Sequence, residues 1–346
     1  MKLLQYAHPN HHSGQIRRVG LLQKEEVIDL TACPPHPASI YDIYYRLGGN
    51  RLGLEESINS LDRERAPRLG SDQLLQNITN LEQPHLLSPI TAPKDSPQNL
   101  RVWLAGVTHA DSAKLREIEA KQATGESVNV YEQKYRECAQ GGIPELFSKS
   151  DSDLVSHGGT ISRPPSTVRL VPETELVTVY GLNHKGQVER LGYTGGNDFT
   201  DNGIEAANPL NLPQAKNWFD GCASLGPLVV TASEFDDCNL TVSCEIIREG
   251  NRVAHKQGLT GQENLNMPNG LLHLERSLFT RLPLQRNVLQ VLYWGTPIVF
   301  SNEDLRDGLQ EGDIVRMSFE GLGVLENRIA TFPKVDQLRG LEKRAS

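Results

Sequence analysis

Two glutamates two residues apart are the first feature with a chemical meaning. They lie in Val168 to Tyr180, where the β-branched residues predict a strand. Side chains two apart on a strand share a face, so Glu173 and Glu175 point the same way, in line with Val177 and Val179. Paired carboxylates on an otherwise apolar face repel unless something positive lies between them. A hard divalent cation with oxygen ligands meets that need and keeps waters for a substrate to displace. Glu-x-Glu alone is common and fits a solvent-facing strand edge better, so a second segment has to support the metal reading. Leu191 to Asp201 supplies it, with Gly195 and Gly196 before Asn197-Asp198. Paired glycines let another backbone or a ligand approach a strand. Asp198 can then project toward the glutamates as a third oxygen ligand, although Asn-Asp also suits a plain turn.

A third segment runs from Asn208-Pro-Leu-Asn-Leu-Pro213 through Lys216 to Gly226-Pro227. A lysine beside such a metal site can stabilise the charge of a developing enolate or carboxylate, whereas most lone lysines are solvated. Cys222 in this segment reads as a small core residue. No Gly-x-Ser-x-Gly elbow, Gly-x-Gly-x-x-Gly fingerprint or phosphate loop is present.

The elements that position these groups are mostly strands. Residues 2–7 and 17–29 predict short strands, and residues 39–47 and 71–82 predict helices. The stretch Pro89 to Pro97 separates this beginning from the rest, which places a small N-terminal domain at 1–95 and the main domain at 96–346. Val102 to Gly106 predicts a buried strand that leads to Thr108-His109 and a helix over 112–122. From Leu146 to Val324 short strands alternate with Gly, Pro, Asn and Asp, interrupted by a helix carrying Leu271, Leu274 and Leu278 on one face. The expected class is α+β, mainly β.

Composition excludes several functions. With 35 Lys+Arg against 43 Asp+Glu, the net charge of −8 and the absence of a basic block argue against nucleic acid. No apolar run approaches a membrane span, and the N-terminus turns polar at His8, His11 and His12, unlike a secretory signal. The five cysteines are odd in number and form no Cys-x-x-Cys, which fits reduced thiols and a cytoplasmic setting.

Glu173-Thr-Glu175, Gly196-Asn197-Asp198, Lys216 before Leu225-Gly226-Pro227, and Gly295-Thr296-Pro297 together resemble the ordered motifs of the fumarylacetoacetate hydrolase family. The resemblance spans roughly residues 100–332, with Gly312-Asp313-Ile314-Val315 and Glu320-Gly-Leu-Gly323 as its last strands. It is nearest to the branch of 2-keto-3-deoxy-sugar-acid (ketodeoxyarabinonate) dehydratases. That likeness rests on Ala105-Gly-Val-Thr-His-Ala-Asp-Ser112 with Arg116-Glu117, on Pro144-Glu145-Leu-Phe-Ser-Lys149, and on Ile204-Glu205 with the segment to Lys216. His109 stands where the branch often has tyrosine, and Ser148 where it has phenylalanine.

The resemblance implies a mixed β-roll or barrel core, a bound Mg²⁺ or Mn²⁺, and a homodimer. By position it makes Glu173, Glu175 and Asp198 the metal ligands. Lys216 and Thr296 would hold the substrate's carboxylate or oxo oxygens, and Glu145 would be an acid or base. The expected chemistry is that of a lyase acting on a small 2-oxo acid through a metal-bound enolate, with dehydration of a 2-keto-3-deoxy sugar acid as its form. The rivals are hydrolysis of an acylpyruvate or fumarylacetoacetate-like carbon–carbon bond, decarboxylation of a 2-oxo diacid, and non-catalytic 2-oxo-acid binding. In the hydrolytic reading His109, with Asp111 or Glu117, would activate water; otherwise it is a polar residue ending a strand.

Overall fold

The computed structural model describes residues 1–10, 14–78, 80–110, 130–149, 154–207, 219 and 221–331. Its strands are β1 (Lys2–Asn10), β2 (Gly14–Gln23), β3 (Glu26–Asp29), β4 (Arg68–Gly70), β5 (His85–Leu87), β6 (Leu100–Gly106), β7 (Glu145–Ser148), β8 (Leu154–Val155), β9 (Thr160–Arg163), β10 (Leu170–Val171), β11 (Thr174–Leu182), β12 (Val188–Asp198), β13 (Thr200–Asp201), β14 (Ala223–Thr231), β15 (Leu240–Arg248), β16 (Asn251–Thr260), β17 (Leu289–Tyr293), β18 (Ile314–Phe319) and β19 (Gly323–Thr331). A large sheet runs β4-β3-β2-β1-β14-β12-β11-β17-β6-β7, with β5 joined to β1 and β8 to β14. A smaller sheet runs β16-β15-β18-β19-β9 and faces it, and β10 pairs with β13. Most pairings are antiparallel, but β6–β17, β8–β14 and β9–β19 are parallel. The fold is therefore a mainly-β α+β fold with a mixed sheet core.

Two apolar cores follow from the two-residue period of the central strands. Along β11, Val177 and Val179 enter one core with Leu104, Leu225, Val291 and Tyr293. Leu176 and Tyr180 enter the other, shared with the small sheet through Cys244, Met317 and Phe319. Each fully buried valine contributes about 1.5–3 kcal/mol. The helix Leu271–Phe279 buries Leu271, Leu274 and Leu278, as its spacing predicts.

Three expectations change in detail. Residues 17–29 form two strands, because Lys24 takes a positive φ in the tight turn between β2 and β3. The helix expected over 71–82 ends at Leu75. Beyond it, Asn77 donates to the carbonyls of Asn80 and Pro84 and accepts from the Asn80 N–H, so an asparagine-built turn competes with helix. The strand expected over Val168–Tyr180 breaks at Pro172-Glu173 into β10 and β11. Residues 1–95, expected as a leading domain, supply β1 to β5. The register Lys2↔Val230 and Leu3↔Val229 carries hydrogen bonding from β1 into β14 of the main part. The helix expected over 112–122 lies outside the described residues.

All five cysteines are free, and only Cys238 is exposed. Among the described residues no helix is long and apolar enough to cross a membrane.

Candidate metal centre

The carboxylates meet because of strand register. Glu175 on β11 lies opposite Gly196 on β12, and Asp198 is two residues further on, so Glu175 and Asp198 share a face. Glu173 precedes β11, and two hydrogen bonds tie it to β12. Its N–H donates to Asn197 Oδ1 at 2.9 Å, and its carbonyl accepts from the Asp198 N–H at 3.0 Å. One ligand oxygen from each of Glu173, Glu175 and Asp198 lies within 4.8 Å of the others, and all three residues are buried.

The surroundings of this cluster are asymmetric in charge. The Lys149 ammonium forms an ion pair with Asp198, both side chains being 1% exposed. It also donates to the carbonyls of Cys222 at 2.6 Å and Phe199 at 3.3 Å. Glu175 Oε2 accepts the Gly295 N–H at 2.7 Å. Burial, followed by the charges of Asp198 and Glu173, holds the Glu175 carboxyl well above its ordinary range, against the opposing pull of the Gly295 N–H and Lys149. Tyr293 donates to the Ser224 carbonyl at 2.8 Å, and burial with the nearby Glu175 and Asp198 charges raises its phenol. Among the described residues the three acids share one ion-paired lysine, Lys149. An all-oxygen donor set at this spacing fits a hard divalent cation and offers no soft ligand.

The remaining expected site residues are placed differently. Glu145 pairs with Gly106 at the end of β6, and its carboxylate lies where a Cβ on Gly106 would collide with it. A side chain at 106 would push the Glu145 carboxylate from this position. Lys149 follows directly on β7, which begins at Glu145. His109 is 3% exposed, with Nδ1 at 2.9 Å from Thr108 Oγ1 and Nε2 at 3.1 Å from Thr260 Oγ1. Burial pushes its pKa down to about 3. Thr296 is buried, and its hydroxyl is engaged in its own turn, donating to the Ile298 carbonyl at 2.8 Å and accepting the Ile298 N–H at 3.0 Å. Lys216, Asp111 and Glu117 lie outside the described residues.

Lys149 and Tyr293 were not singled out from the sequence. A signal for Lys149 existed. It closes the Pro144-Glu145-Leu-Phe-Ser-Lys149 motif at an even spacing from Glu145. For Tyr293 no local signal existed, since its role depends on β17 lying beside β11.

A buried three-carboxylate centre on a mixed β-sheet core defines the class of protein, and comparison with known proteins agrees. The chain belongs to the fumarylacetoacetate hydrolase family: residues 102–330 match the family described as fumarylacetoacetate (FAA) hydrolase C-terminal. It is 34% identical over 243 residues to a probable 2-keto-3-deoxyxylonate dehydratase of Haloferax volcanii, covering 70% of this chain and 75% of that one. It is 30% identical over 238 residues to a 2-dehydro-3-deoxy-D-arabinonate dehydratase of Saccharolobus solfataricus, covering 68% of this chain and 72% of that one. Its fold resembles a solved 2-keto-3-deoxy-D-arabinonate dehydratase complexed with magnesium and 2,5-dioxopentanoate. The TM-score is 0.68 at 21% identity, over 96% of this chain and 100% of that one.

Proposed function

We propose that this protein is a divalent-metal-dependent lyase that dehydrates a 2-keto-3-deoxy sugar acid. The observation that carries the reading is the buried convergence of Glu173, Glu175 and Asp198, with Lys149 on Asp198 and the Gly295 N–H on Glu175. The names of the two curated relatives support the substrate class.

Glu173, Glu175 and Asp198 would hold Mg²⁺ or Mn²⁺ through their carboxylate oxygens. A bound ion of this kind would polarise the 2-oxo carbonyl of the substrate and make its C3–H more acidic. Elimination then needs a base at C3 and an acid at the C4 hydroxyl. Glu145, whose carboxylate packs against Gly106, takes one of these roles. As the C3–H bond breaks, its electron pair becomes the enolate. The C4–O bond then breaks with that oxygen protonated, so one water leaves. Lys216, by its place in the family motif, holds the enolate charge. Thr296 shapes the adjoining turn, since its hydroxyl is already bonded to Ile298.

Hydrolysis of an acylpyruvate would need an activated water. His109 is buried, and its two ring nitrogens lie against the hydroxyls of Thr108 and Thr260, an arrangement that suits positioning better than activation of a water. This favours dehydration over hydrolysis. A homodimer and a cytoplasmic setting with reduced thiols belong to the same proposal, and light scattering checks the dimer.

The deciding experiment is a Mg²⁺- and Mn²⁺-supplemented screen of 2-keto-3-deoxy acids and acylpyruvates, with products followed by NMR. The expected product is a 2-oxo acid lacking one water, with C3 deuterium incorporation in D₂O. Rapid cleavage of acylpyruvates, with every 3-deoxy-2-keto acid untouched, would overturn the dehydratase reading.

A further inference from the structure

β6 and β17 run parallel, with Leu104 beside Tyr293, so the loops that follow them leave the sheet at the same end. Thr108 and His109 lie in one loop, and Trp294 and Gly295 in the other. The Thr108 hydroxyl donates to the Trp294 carbonyl at 2.6 Å. A carbonyl only accepts, so that hydroxyl proton is committed. The 2.9 Å contact of Thr108 Oγ1 with His109 Nδ1 therefore needs the hydrogen on Nδ1. Nε2 is left as an acceptor, and the Thr260 hydroxyl donates to it across 3.1 Å. The ring is held as one neutral tautomer.

The Trp294 carbonyl and the Gly295 N–H are opposite ends of a single planar peptide unit. Thr108 grips the oxygen end, and Glu175 Oε2 accepts from the nitrogen end at 2.7 Å. Gly295 has φ +88°, and a Cβ there would collide with Thr108 Oγ1, so the threonine occupies the space that the missing side chain leaves. Rotation of Thr108 would release the carbonyl, free the peptide plane to turn, and take the N–H off Glu175.

We infer that His109 is a positioning residue for the metal centre: it is the middle link of a relay, Thr260–His109–Thr108–Trp294/Gly295, that fixes the orientation of Glu175. The relay rests on the metal-centre reading above but not on the identity of the substrate. Groups that orient a ligand from behind are typically worth about 10–100-fold in metal affinity.

The test is titration of the full-length protein with Mg²⁺ alone by calorimetry, comparing wild type with His109→Phe, His109→Asn and Thr260→Val. His109→Phe keeps a ring in the core and removes both hydrogen bonds, and should weaken Mg²⁺ binding about 10-fold. Thr260→Val cuts only the far link and should cost about threefold. His109→Asn retains an N–H that can reach Thr108 but loses the Thr260 link, and should cost about threefold, as Thr260→Val does. Nitrogen-15 NMR of the wild-type imidazole should show hydrogen on Nδ1, a bare Nε2 and no titration between about pH 5 and 8. Unchanged Mg²⁺ affinity in a folded His109→Phe protein would reduce His109 to core packing, and an Nε2–H tautomer would break the relay. Should His109→Phe not fold, Thr260→Val and the imidazole spectrum decide. A wild-type protein that binds no divalent ion would overturn the metal-centre reading and the relay with it. An enzyme that binds Mg²⁺ through the relay but dehydrates no sugar acid would overturn only the substrate assignment.

Discussion

Two clusters of charge lie in this molecule, and they differ in how they are balanced. On the small sheet, Glu245, Arg316 and Glu326 sit side by side on β15, β18 and β19. Arg316 bridges both acids, at 2.9 Å to Glu245 and 2.7 Å to Glu326, and Arg252 approaches Glu245 at 4.0 Å. That row neutralises itself and keeps contact with water at Arg316, which is 40% exposed. At the metal centre three acids face Lys149 in a buried site, and the register that gathers them adds no second lysine or arginine among the described residues. The first arrangement is complete as built. The second leaves, among the described residues, three acids beside one lysine, a balance that suits a bound cation.

That contrast can be broken by mutation. The largest effect is expected from Asp198→Asn or Glu175→Gln, each lowering Mg²⁺ affinity by more than about 100-fold in calorimetry. Because burial and neighbouring acids hold Glu175 protonated above its ordinary range, wild-type binding should release protons and strengthen as pH rises. Retention of wild-type affinity by both variants would place the ion elsewhere.

Lys149→Met comes next. It removes the charge on Asp198 and the donor to the Cys222 and Phe199 carbonyls, so the ion-free protein should lose about 3 kcal/mol. Saturating Mg²⁺ should recover part of that loss, seen as a larger metal-induced rise in Tm than in wild type. Equal rises in the two proteins would show that Lys149 and the ion do not share the acidic cluster.

A smaller effect should appear on the acid side of neutrality. His157 accepts the Glu326 N–H on Nδ1 at 3.2 Å, its Nε2 lies 3.2 Å from the Leu75 carbonyl, and burial lowers its pKa. His109 is pushed down to about 3. A histidine depressed in the folded state gains no proton there while the unfolded chain does. Its stability contribution is therefore present above about pH 6.5 and is lost as pH falls from that value toward the folded pKa. Each such histidine adds a slope of up to about 1.4 kcal/mol per pH unit. Denaturant melts between pH 7 and 5 should show the loss, and His157→Gln should flatten it. An identical slope in that variant would remove His157 from the balance.

The smallest effect belongs to the self-neutralised row. Glu245→Gln should shift stability by less than about 1 kcal/mol and leave Mg²⁺ affinity unchanged. A change in ion binding comparable to that of Asp198→Asn would erase the distinction between the two clusters.

The legible part of the site is the part written in short-range periods. Glu173 and Glu175 are two apart, and Asp198 follows two glycines on a strand, so their common destination could be read from spacing. The same alternation shows in the buried Val177 and Val179. What local pattern does not carry is which distant strand comes alongside. Lys149 follows β7 and meets Asp198 at the end of β12, strands that are not neighbours in the sheet, and Tyr293 borders the acids because β17 adds to β11. The helix over 71–82 failed for a local reason that propensity underrates, the side chains of Asn77 and Asn80 bonding to nearby backbone. Thr296 illustrates a different limit. It follows Gly295, whose N–H reaches Glu175, but the engagement of its hydroxyl with Ile298 is a matter of rotamer.

The parallel pairing of β6 with β17 has a consequence for how the chain folds. It brings Thr108 to Trp294 across 186 residues, while His109 meets Thr260 of β16 across 151 and the β11–β17 pairing brings Gly295 to Glu175 across 120. Contacts of such range slow folding, because chain entropy is lost before they give any return. The centre therefore depends on pairings between segments far apart in the chain. A divalent ion that binds only the finished site stabilises it by about 2.7 kcal/mol at a hundredfold excess over Kd. Ion capture would then report completion of the fold, and a chain that stops short of β17 would retain all three acids yet lack the Gly295 N–H that helps to aim them.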